Sequence, residues 1–266
     1  DTERTAAAVD ALNTHASLSG FAWDKKSGTI KLACSAYCNK QNVGWTTRLL
    51  AVAIAMQCAD AHIKAEMGPQ LLDSEVDVSQ HPAHGPRPFG DEMLDVILEC
   101  VAPRGAGSSA FTEADFTEAV RILPRQVLAN SGETGLTAEF PVSGSTPAIG
   151  VSLGFGEGKG LETALLQVDN ECRHPQLGSG ILMRLTLPIN CDRSRGHAIA
   201  CKLNSAERDQ WTRCNQLGGW CWDLSLHAPT FASFVPSVVR QPGLLPLLVI
   251  NMGVRARWAY SFLVSQ

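Results

Sequence analysis

Four stretches of this 266-residue chain carry residue types that could do chemistry. The run GFGEGKG, Gly154 to Gly160, has the glycine content of a phosphate-cradling loop. The residues after it, LETALLQVDNE, alternate like a strand, so no helix N-terminus stands behind the glycines, and Lys159 lacks Walker spacing. A hairpin turn is the expectation. His81 and His84 share a proline-rich loop, and Cys34 and Cys38 lie four apart; Cys172, His174 and Cys191 form the best remaining cluster, yet none supplies four ligands at zinc spacing. No G-x-S-x-G elbow surrounds Ser131, Ser143 or Ser179, and His197 with Asp192 is the nearest approach to a catalytic pair. No catalytic residue, metal or cofactor is assigned on this reading.

The fourth stretch is near the C-terminal end. Arg240, Arg255 and Arg257 stand beside Trp258 and Tyr260, residue types favoured at binding hot spots. These five are the candidate partner-binding residues. The plainer account is a solvated helix face that complements the negative end of the helix dipole.

The chain is 45% apolar and 18% charged, enough to bury a sizeable core. A net charge of −4 offers no basic field for a nucleic-acid backbone. The nine cysteines lie in apolar segments and read as reduced thiols of a cytoplasmic protein. The sequence opens at Asp1 without a basic and apolar leader, so no signal peptide is expected in it. Two long apolar runs, Trp45 to Ile63 and Leu244 to Val264, are interrupted by charges and read as core helices rather than membrane spans.

The pattern predicts a helix at Thr2–Ala16, a hairpin of GFAWD with Thr29–Tyr37, and a buried helix after Gly44. Residues 68–88 read as a loop or linker, and Gly90–Val101 as a short amphipathic helix. After a break at residues 104–109, Thr112 can cap a helix in which Asp115 takes the third position. Strands follow at 136–142, 149–155 and 163–169, with a fourth at 181–189. A helix from His197 to Arg213, a second hairpin of GGWCWDLSL with TFASFVP, and a last helix close the order. This is an α+β fold of antiparallel sheets with helices on one face.

GFAWD, Gly20 to Asp24, returns as GWCWD, Gly219 to Asp223, an offset of 199 residues that also aligns Ala33 with Ala232, Gly44 with Gly243 and Leu49 with Leu248. Each half therefore holds the unit strand, strand, long helix. Trp23 and Trp222 read as equivalent core residues with satisfied indole N–H groups, and Asp24 and Asp223 as turn-starting carboxylates that accept local backbone N–H bonds. The expected division is an N-terminal module, residues 1–105, and a C-terminal module, residues 106–266.

The second half, Thr112 to Gln266, resembles the type III secretion chaperone-like fold shared by YbjN-type bacterial proteins. The likeness is carried by the LTAEFPV and IGVSLGF strands, the GGWCWD…FASFVP hairpin and the GLLPLLVINMGVRARW helix. The resemblance implies two related modules packed as a pseudo-dimer, and a small protein-binding module with no catalytic motif to carry over. The expectation is a non-enzymatic chaperone or adaptor that binds another polypeptide through an exposed groove or helix face; the reading also admits a homodimer. The alternative is a hydrolase using the cleft between the halves, with residues 154–160 and 172–174 at its rim.

Overall fold

The computed structural model describes residues 2–14, 16–40, 42–65, 108–128, 136–139, 148–155, 162–174, 177–209 and 216–265. The expected elements at 68–88, 90–101 and 104–107 lie outside the described residues, as do 140–142, 156–160 and 210–213.

The element order is α1 (Thr2–Asn13), β1 (Gly20–Asp24), β2 (Thr29–Ala33), α2 (Val43–Ala65), α3 (Glu113–Leu128), β3 (Leu136–Glu139), β4 (Ala148–Phe155), β5 (Glu162–His174), β6 (Gly178–Thr186), α4 (Arg193–Asp209), β7 (Gly219–Asp223), β8 (Ala228–Pro236) and α5 (Leu244–Val264). The fold is α+β with antiparallel sheets, as the alternation in the sequence predicts.

Six strands form one sheet in the order β3-β4-β5-β6-β8-β7, and β1-β2 stand as a separate pair. Residues two apart share a face, so the register aligns a row across five strands: Val151, Leu166, Leu185, Phe231 and Trp220. Every member of this row is buried. That face is the core, covered by α2 (Leu49, Met56), α3 (Phe116, Ala119), α4 (Ala200, Leu203) and α5 (Leu248, Met252) in one cluster. The other face is partly wet, with Leu165 exposed and Arg184 bonded to Asp169 at 2.9 Å.

Local signals place the elements. Thr112 N and Oγ1 both donate to the Asp115 carboxylate, 2.8 and 2.9 Å away, which closes the first turn of α3 as a capping-box arm. Asp192 Oδ1 accepts the Arg195 N–H at 2.9 Å and so caps α4. That helix starts before His197, its expected first residue. Strand β5 runs further than its alternation suggests, through a bulge between Asp169 and Cys172 beside Glu171, whose φ is 58°. Strand β2 stops at Ala33; beyond it Ser35 N–H donates to Gln216 O at 3.0 Å, a bridge to the approach of β7.

Candidate functional site

The two Gly-x-x-Trp-Asp strands organise the molecule. Strands β1 and β2 pair as Gly20↔Ala33, Phe21↔Leu32, Ala22↔Lys31, Trp23↔Ile30 and Asp24↔Thr29. The β7–β8 register is Gly219↔Ala232, Trp220↔Phe231, Cys221↔Thr230, Trp222↔Pro229 and Asp223↔Ala228, the same pairing at the same 199-residue offset. Both turns are held alike. Asp24 Oδ1 accepts the N–H groups of Lys26 and Ser27, and Asp223 Oδ1 those of Ser225 and Leu226. The Lys31 ammonium, with these bonds, holds the Asp24 carboxyl well below the usual range. Burial works against Asp223, but its Ser225 and Leu226 bonds prevail and lower it as well.

Trp23 is half-buried. The indole N–H groups of Trp222 and Trp220 lie against acceptors, Cys191 and Glu207, without making a bond of full hydrogen-bond geometry among the described residues. Both rings are wedged by packing instead: Trp222 meets His197 edge-on at 5.8 Å, and Trp220 meets Phe231 at 5.4 Å. A Cβ on Gly196 would stand 2.0 Å from the Trp222 ring, so the close seat of α4 on β7 requires glycine there.

Strands β1 and β7 each have an edge that no strand covers among the described residues, and side chains close both. Asn13 of α1 donates to Phe21 O at 2.9 Å and accepts Phe21 N–H at 2.8 Å. Asn204 of α4 makes the same two bonds to Trp220, both at 2.8 Å. Two further bonds cross between the units: Asp10 of α1 accepts the Trp222 N–H, and Ser205 of α4 donates to Trp23 O at 2.9 Å. Where the strands begin, a Cβ on Gly20 would come within 2.2 Å of Gly218 O. Helix α1 thus lies along the β7 edge, on the far side of the sequence from its own strand pair.

A cavity of about 560 Å³ opens between α1 and the wetter face of the sheet, lined by Asp10, Arg184, Arg193, His197, Cys221 and Trp222 among others. Asp10 Oδ2 is 3.6 Å from His197 Nε2, and both side chains are buried. Burial raises the Asp10 carboxyl to about 7, against the opposing effect of the Trp222 N–H and Arg193. Burial, with Arg193 beside it, pushes His197 below its ordinary value, and Glu3 acts in the other direction. Cys221 is no ready nucleophile: burial pushes its thiol far up, and Sγ donates to Thr230 O. His197 therefore pairs with Asp10 and not with Asp192, whose carboxylate is taken by the α4 cap.

The five residues at the C-terminal end are not brought together. Arg255 is buried, bonded to Glu207 at 2.8 Å and seated 3.8 Å over the Phe231 ring, so it belongs to the core. Arg240 grips Asp115 with two bonds of 3.2 Å, tying the approach of α5 to the start of α3. Arg257 is exposed, Trp258 and Tyr260 are half-buried, and Trp258 stacks on Phe262. Cys172 and His174 both stand on β5, where His174 packs against Phe234 at 5.2 Å. Cys191 is buried just ahead of α4. All seven described cysteines are free thiols. Among the described residues no helix is long and apolar enough to cross a membrane.

The residues that sequence reasoning missed are Asp10, Asn13, Asn204 and Ser205. One signal was present for the first two: they fall on the stripe Ala6, Val9, Asp10, Asn13, the buried face of an alanine-rich helix, where a polar side chain needs a partner.

Against these two strand pairs and the cavity, no protein-family model, curated protein or solved structure matches the chain.

Proposed function

We propose that the protein is a polypeptide-binding module, and that its binding surface lies on the first unit, β1-β2-α2. One observation carries this reading: the first unit leaves exposed what the second covers. The 199-residue offset extends from the strands into the helices, where Thr46, Leu49, Ala53 and Met56 of α2 match Leu245, Leu248, Met252 and Arg255 of α5, all buried. The other side of α2 departs from this. Thr47, Ala51 and Ile54 are exposed, whereas their counterparts Pro246, Ile250 and Gly253 are buried or half-buried. Helix α3 packs along α5, and among the described elements no helix lies along α2 in the same way. Ile54 is 57% exposed and Val43 49%, a weakly polar stripe of the kind that marks an interaction site. On this reading the two units are halves of a pseudo-dimer, and the partner supplies what covers the first half.

A photoreactive benzophenone side chain at Ile54, in the full chain, should capture a defined polypeptide from the native cell extract. The same group at Leu224, a turn residue of the second unit that is 69% exposed, should not. Identical products from both positions, or none from either, sink the reading.

The Asp10–His197 cavity favours a second reading, an enzyme using the space between α1 and the sheet as a general acid and base site. It is the weaker one, because one Asp10 oxygen is already committed to the Trp222 backbone. Of the rim expected for it, Cys172, Arg173 and His174 do not line this cavity, and residues 156–160 lie outside the described residues.

A further inference from the structure

We infer that the outer edge of β2 receives an extended segment of another polypeptide, laid antiparallel to β2, with alternate apolar side chains beside Leu32 and an acidic residue opposite Lys31. This rests on the polypeptide-binding reading and names the form and chemistry of the partner.

The argument starts from which backbone groups face outward. Residues along an antiparallel strand point their N–H and C=O alternately toward one neighbour and the other. Asn204 holds both groups of Trp220, so these point away from β8, and the opposite residue Phe231 must point away from β7. It points toward β6, and so does Pro229, whose C=O accepts the Leu187 N–H at 3.0 Å. On the first unit Asn13 holds both groups of Phe21 in the same manner. Leu32 and Ile30, opposite Phe21 and Trp23, therefore turn their N–H and C=O groups to the outside.

The matching edges differ in what occupies them. Strand β8 has β6 along its outer edge, and all nine of its residues are buried. Strand β2 pairs with β1 alone among the described strands; Thr29 and Lys31 are exposed, and Ile30, Leu32 and Ala33 only half-buried. It is an open edge of the kind that accepts a strand. Carried over by the offset, the pairing of β6 with β8 shows what fits. Leu185 lies opposite Phe231 and Thr186 opposite Thr230, so an apolar residue would sit beside Leu32 and the next residue opposite Lys31. On that face Trp23, Ile30 and Leu32 are only partly covered by Val9 and Leu12 of α1, and new apolar side chains would extend the cluster.

Charge selects the partner. The hairpin from Asp24 to Lys31 holds three lysines and one aspartate. A second copy of this chain, paired so that Ile30 meets Leu32, would set Lys31 directly opposite Lys31, which like-charge repulsion disfavours. A carboxylate at that place would join Asp24, 2.7 Å away, on the Lys31 ammonium.

The test uses the full chain and a synthetic peptide, the sequence Gly178–Pro188 carrying Thr186→Glu, which reaches the residue that would lie opposite Ile30. Saturating peptide should slow amide hydrogen exchange at Ile30 and Leu32 by about tenfold or more, leaving Lys31 and Ala33, which face β1, unchanged. The Leu32→Pro chain should bind at least about tenfold more weakly, since proline removes an outward N–H and no bond to β1. Should that chain fail to fold, Lys31→Glu serves: it should reverse the preference between the Thr186→Glu peptide and a Thr186→Lys peptide. Binding without protection of Ile30 and Leu32, or binding indifferent to both substitutions, overturns strand addition while capture at Ile54 would still stand. Absence of binding up to about 1 mM also overturns it, as does protection of both amides in the free chain, which would show the edge already filled.

Discussion

Asp10 and Trp222 are 212 residues apart in sequence and joined by a hydrogen bond from the Trp222 backbone N–H to the Asp10 carboxylate. The bond is made by a group whose ionisation is opposed by its surroundings, so the junction between α1 and β7 depends on pH.

The sign follows from linkage. The Asp10 carboxyl is raised from 3.8 to about 7 in the folded chain. Its contribution to stability is therefore full below about pH 4 and is lost as pH rises through about 7, by at most about 4 kcal/mol. His197 is lowered, so the folded chain resists its protonation and stability falls as pH drops below the ordinary histidine value. Arg193 and Glu3 are the other charges acting on this pair. Stability measured by urea denaturation should peak in mildly acidic solution. Asp10→Asn keeps an oxygen for the Trp222 N–H and cannot ionise, so it should remove the fall in stability that Asp10 contributes between about pH 4 and 7 and leave the rise due to His197; an unchanged profile would refute the assignment.

The two asparagine clamps should be equally necessary. Asn13→Ala and Asn204→Ala each remove the two side-chain bonds that hold a buried backbone N–H and C=O, a loss of about 2–4 kcal/mol by denaturant titration. An effect below about 1 kcal/mol at either position would show that water replaces the amide.

The ion pair of Glu207 and Arg255 is buried on both sides. Burial raises the Glu207 carboxyl, and Arg255 opposes that rise. Arg255→Ala would strand the carboxylate and should cost about 3–5 kcal/mol. The double change Glu207→Gln, Arg255→Met should recover most of the loss, since two charges leave together. A double variant no better than the single one would point to the Arg255 stack on Phe231 as the main contribution.

Gly44 and Gly243 occupy equivalent places and should respond oppositely to alanine. A Cβ on Gly44, inside α2, meets nothing within 4 Å, so Gly44→Ala should stabilise by roughly 0.5–1 kcal/mol. Gly243 precedes α5 with φ at 81°, so Gly243→Ala should destabilise by roughly 1–2 kcal/mol. Thermal melts of the two variants would separate the cases.

These residues also show how far the sequence could be read. The offset between GFAWD and GWCWD holds through the five residue pairs of each hairpin and into the helices, because burial fixes the spacing of residues that share a face. The clamps escaped it. Asn13 and Asn204 are 191 residues apart, eight fewer than the strands they hold, since the connection from α4 to β7 is longer than that from α1 to β1. A gap-free comparison cannot align them. Nor does periodicity say that β6 lies beside β8, across α4 and β7, for that pairing depends on which edges meet after the helices have packed. Arg255 stood in a run with Arg257 that reads as a surface, yet it faces the core because Glu207, on another helix, is there to receive it.

The exchange of bonds between α1 and β7 has a consequence for synthesis. A ribosome adding about 5–20 residues per second reaches β7 roughly 10–40 s after it has finished α1. Through that interval Asp10 lacks the N–H it will hold, and until α4 is made α1 has only its own hairpin to rest on. Helix α1, made well before β7, is thus among the last elements to be locked, and a nascent chain stalled before residue 219 should be more open to proteases around α1 than the finished protein.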